Sequence, residues 1–73
     1  MSTVIRYSTT PKGFLQVVTL GWEVYVQHYR TQSHDGKAYM DGQVTLHHTE
    51  EFIDEVKAIE LFDEMVLAAW RTP

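Results

Sequence analysis

From Glu50 to Arg71 the chain runs twenty-two residues without a glycine or a proline, after a first part that holds all four glycines and Pro11. This contrast constrains the fold more than any other feature. Nothing local breaks a helix over that span, and its ends carry helix signals. Thr49 is a good N-cap, because its hydroxyl can accept from the first free backbone N–H groups. Glu50 and Glu51 sit where the positive end of the helix dipole favours carboxylates, Arg71 sits where the negative end favours a cation, and Pro73 closes the run. The pattern predicts one helix over about residues 50–71.

Ahead of it the period is two. "TVIRYS" (3–8) and "FLQVVTL" (14–20) are rich in β-formers, and "TTPKG" (9–13) between them is a turn by composition. Gly21 offers a hairpin position before "WEVYVQHYR". There Trp22, Val24 and Val26 are expected on one face, and Glu23, Tyr25, Gln27 and Tyr29 on the other. "SHDGK" (33–37) supplies an Asp-Gly turn, and Asp41-Gly42 a second turn or a bulge. "QVTLH" (43–47) sets Val44 and Leu46 on the apolar face. Turn-linked alternating segments make an antiparallel sheet with one face buried and one wet. The expected fold is therefore α+β: a three- to four-stranded antiparallel meander over about 3–48, with the C-terminal helix packed on one face.

At 100° per residue the helix shows two apolar stripes rather than one. Phe52, Ile53, Val56 and Ile59 share one. Leu61, Phe62, Met65 and Ala69 share another, rotated by roughly a third of a turn. Either the helix kinks near Ala58–Glu60, or it is straight and the second stripe meets a second copy or a target.

Seventy-three residues make a single domain, 1–73, with a thin margin, because ordering a chain this short about cancels its burial gain. With no cysteine, disulfides and thiolate chemistry are excluded, which suits a reducing compartment. No apolar run approaches the ~20 residues of a membrane span. The expected setting is the cytoplasm, with no membrane contact.

The histidines and acids decide what chemistry is on offer. On a strand, His47 and His48 point to opposite faces and do not share an ion, and the helix N-terminus beyond them disfavours a cation. Ser33-His34-Asp35 spells a triad, but adjacent residues do not converge as a triad must. His28 reads as a histidine at the core edge. The expectation is no catalytic residue, no metal and no cofactor.

The net charge of −4 is unevenly spread: residues 50–64 carry seven acids against Lys57, whereas residues 1–49 carry four bases and three acids. Such a row repels nucleic-acid phosphates and attracts basic protein surfaces. Glu50, Glu51, Asp54, Glu55, Glu60, Asp63 and Glu64 are the candidates for a charged contact, although Asp63 shares the register of Phe52 and Val56 and is expected to be partly buried. Tyr25 and Tyr29 are candidate aromatic anchors on the sheet face opposite the helix. Too few lysines and arginines accompany them for direct nucleic-acid stacking. Leu61, Phe62, Met65 and Ala69 are the candidate dimer interface.

From "VIRYSTT" through the meander to "TEEFIDEVKAIELFDEM", the chain resembles, in size, charge and layout, small phage-encoded inhibitors of the anti-CRISPR type. That resemblance implies a stoichiometric inhibitor in the host cytoplasm. It would block the nucleic-acid or recruitment surface of a larger protein or ribonucleoprotein complex, its acidic helix standing in for phosphates. The alternatives from the residues themselves are a homodimeric adaptor module and, behind it, a His/carboxylate metal protein or enzyme.

Overall fold

The computed structural model describes residues 2–31, 36–47 and 53–71. Four strands, β1 (Thr3–Thr10), β2 (Gly13–Leu20), β3 (Glu23–Thr31) and β4 (Ala38–His47), precede one helix, α1 (Ile53–Arg71). The strands form an antiparallel meander in the order β1-β2-β3-β4. The helix crosses one face, leaning most on β2 and β3. This is the α+β layout that the change of period predicts.

Two-residue loops set the register. Thr10 pairs with Gly13 across Pro11-Lys12, and the Thr10 hydroxyl accepts from the Gly13 N–H at 3.1 Å. Leu20 pairs with Glu23 across Gly21-Trp22, where Gly21 has φ +59°, a conformation that favours glycine in such tight hairpins. Trp22 is therefore a turn residue. It is 79% exposed, which corrects its expected place on the apolar face. Asp41-Gly42 is no turn. His28 pairs with Gly42 and Tyr29 with Met40, leaving Asp41 as the extra residue of a β-bulge, so β4 begins at Ala38 rather than near residue 43. A second irregularity lies in β1 between Val4 and Arg6. Both edge strands are thus kinked, a device that discourages edge-to-edge pairing.

Leu15, Val17, Val24 and Val26 point at the helix and are almost wholly buried; Ala58 and Phe62 cover the three valines, and Leu15 lies by Met65 and Ala69. Alanine at 58 lets the helix come close, and Phe62 fills the space beside it. The helix is continuous over its 19 residues, with no split near Ala58–Glu60. The stripe choice is reversed. Leu61, Phe62, Met65 and Ala69, read as a dimer seam, instead face the molecule's own sheet. Val56, from the other stripe, is exposed.

Candidate functional site

Three places offer chemistry, and the layering of the fold sets each. The first is the solvent side of α1. Glu60, Asp63 and Glu64 are exposed there, with Val56 and Leu67 also exposed at helical spacing among them. Residues three and four apart on a helix are neighbours, so this side is an acidic strip with apolar side chains at either end. Asp63 keeps the predicted register with Val56, but both are exposed, so its expected burial does not occur. Lys57 shares this surface, and Glu55 is half-buried at its border. Glu50 and Glu51 lie outside the described residues, as do Thr49, His48 and the side chain of Asp54.

The second is the outer face of the sheet, which no element covers among the described residues. It carries two ladders running across the strands. Tyr7, Phe14 and Tyr29 form one: ring centroids are 5.2 Å apart for Tyr7–Phe14 and 4.7 Å for the stacked pair Phe14–Tyr29. That last spacing matches the roughly 4.8 Å between neighbouring strands, so the rings stand upright on the sheet and Phe14 has its faces covered by its neighbours. Base stacking needs free flat faces, which suits this row poorly. The second ladder is made of amides. Gln16 Nε2 donates to Gln27 Oε1 at 2.7 Å, Gln27 Nε2 to Gln43 Oε1 at 3.0 Å, and Gln43 Nε2 to Thr45 Oγ1 at 3.4 Å. Tyr25 stands in the next row, half-exposed, its hydroxyl donating to a Glu23 carboxylate oxygen at 2.5 Å. This bond raises the Tyr25 pKa above the usual phenol range, with burial and the Glu23 charge adding to it.

The third lies where the end of α1 meets the β1–β2 loop. A cavity of about 330 Å3 is lined by Leu15, Met65 and Ala69 with Pro11, Lys12 and His28 around it. The Asp41 bulge places a carboxylate 3.6 Å from His28 Nδ1 and 3.5 Å from the Arg30 guanidinium. The small alanines at 68 and 69 leave this space open, and the Trp70 indole N–H donates to the Thr9 carbonyl at 3.2 Å nearby. Among the described residues no three His, Asp or Glu side chains gather as a metal site. Nor is any described helix long and apolar enough to cross a membrane.

Sequence reasoning found Tyr25 and Tyr29 but missed Tyr7, Phe14 and the glutamine ladder. The missing signal was register. Once Pro11-Lys12 and Gly21-Trp22 are recognised as two-residue loops, Phe14 falls opposite both Thr9 and Tyr29, and Gln16 falls opposite both Tyr7 and Gln27.

The geometry therefore defines a two-layer α+β domain with an acidic helical side and an open, aromatic and amide-bearing sheet side. No family model, curated protein or solved structure matches the chain.

Proposed function

We propose that this protein is a small non-catalytic binding protein that inhibits a larger protein by occupying a basic surface, one built for nucleic acid or for recruitment. The observation that carries this reading is the exposed set Glu60, Asp63 and Glu64 on one side of an unbroken helix. Val56 and Leu67 lie at its ends. Carboxylates at this spacing match lysines and arginines that otherwise hold phosphates, and they steer the encounter. The flanking apolar side chains give such a contact something to desolvate, as charge alone in water contributes little. The same arrangement agrees with what the resemblance to anti-CRISPR inhibitors implies.

Capture from a bacterial lysate with the wild-type chain and with the Glu60→Lys/Glu64→Lys double variant tests this. The reading predicts a retained protein with a basic surface, released by moderate salt, displaced by nucleic acid and lost with the double variant. Retention of the same protein by both chains, indifferent to salt, contradicts it.

A further inference from the structure

The outer face of the sheet is nearly free of charge, in a chain where 22% of residues are charged. Strand pairing assigns alternate residues to this face. Among its described side chains Glu23 alone is ionic, and Glu23 is engaged by Tyr25. What remains is aromatic, aliphatic, amide and hydroxyl, with Tyr7 57% and Met40 50% exposed. Depletion of charge with enrichment of tyrosine, phenylalanine and methionine is the composition of an interface core, and it is unlike the mixed charges of an ordinary protein surface.

We infer that this face is covered by the same face of a second copy of the chain, giving a symmetric dimer with its two sheets packed together and its two helices outermost. Four observations select this occupant. The face is self-complementary. Its one ionic group among the described side chains, Glu23, lies at the β2–β3 hairpin end, so the centre of the face is uncharged and two copies meet there without like-charge repulsion; glutamine and threonine both donate and accept, so each finds a partner in its own kind. The size fits. Four strands of about eight residues span roughly 19 by 26 Å, or about 500 Å2 in plan before side-chain relief is added. Stable pairs bury about 800 Å2 of accessible surface per partner.

The remaining two concern stability and geometry. The molecule is a slab only 15 Å thick between Cα extremes, and its buried hydrophobic core among the described residues is seven side chains. Chains of this size commonly need a further source of stability, and packing sheet on sheet would double the number of buried layers. Finally, bulges in both β1 and β4 disfavour pairing through the edges, leaving the face as the route to association. The proposal is independent of the acidic helix, which stays exposed on both outer sides of the pair.

Sedimentation equilibrium from micromolar to millimolar protein tests it. The expected result is a mass near twice the 8.5 kDa of the chain, with Gln27→Lys raising the dissociation constant at least ~100-fold. Residue 27 lies near the centre of the face and meets its own copy or a close neighbour, so two cations are forced together. Leu67→Asp on the helix is expected to leave the mass unchanged. If Gln27→Lys loses its circular dichroism signal, Gln43→Lys, one strand outward in the same ladder, takes its place. A monomer throughout the range overturns the proposal, and so does a dimer that survives the sheet variants but dissociates with Leu67→Asp.

Discussion

The two faces of one sheet are built from the same strands and behave in opposite ways. The inner face presents buried aliphatic side chains, Leu15, Val17, Val24 and Val26, and Ala58 and Phe62 close it over the three valines. The outer face presents ladders of like side chains that satisfy one another sideways, ring on ring and amide on amide, with no element covering them among the described residues. The lesson is that alternation sorts residues between faces, whereas a different property decides what each face is for. Smooth aliphatic packing holds this molecule's own helix. A neutral surface with aromatic and amide groups is suited to contact with another molecule.

The largest effect that separates the faces is expected at Phe62. Phe62→Ala removes the side chain closing the inner face and should cost about 3–5 kcal/mol, enough to unfold most of a domain this small, as urea denaturation would show. If that variant stays folded with little loss, the inner face is not the principal source of stability. Gly13 comes next. A Cβ built there would collide with the Tyr29 carbonyl oxygen, so Gly13→Ala must push β2 and β3 apart beside the Phe14–Tyr29 stack. The expected loss is about 1–3 kcal/mol, with altered near-ultraviolet dichroism from the Phe14–Tyr29 stack.

A smaller change sharpens the outer face alone. Glu23→Gln removes the charged acceptor from Tyr25, so phenolate absorbance should show one tyrosine titrating at lower pH than in the wild type. The raised pKa stabilises the folded state below the ordinary phenol value near 10, and that contribution is lost as pH climbs through the folded value. The smallest effect is expected on the helix's solvent side. Leu67→Ala should shift stability by less than about 0.5 kcal/mol, while weakening whatever contact the acidic strip makes.

Much of this was legible in the residues. The switch from two-residue alternation to a glycine- and proline-free run marks the passage from meander to helix, and Gly21 marks the central hairpin. The choice of helix stripe was not legible, because Val56 and Phe62 are equally apolar in the sequence. Only the fit of small Ala58 and large Phe62 over Val17 and Val26 distinguishes them, and that is a property of the pair of surfaces. Trp22 was misplaced for a related reason: alternation alone gives no sign that a two-residue loop ends at residue 22. The Asp41 bulge, which brings a carboxylate to His28 and Arg30, likewise depends on pairing with β3. The acids of the helix were legible as a charge row, but the exposure of Asp63 was not, since it hung on that same stripe choice.

Hydroxyl-radical footprinting of the intact chain across a concentration series tests the division of the two faces most directly. Oxidation of Tyr7, Tyr29 and Met40 is expected to fall as concentration rises, while Leu67 and Trp70 are modified equally at every concentration. Protection of Leu67 and Trp70 with an evenly labelled sheet, or no concentration dependence at any residue, would contradict it.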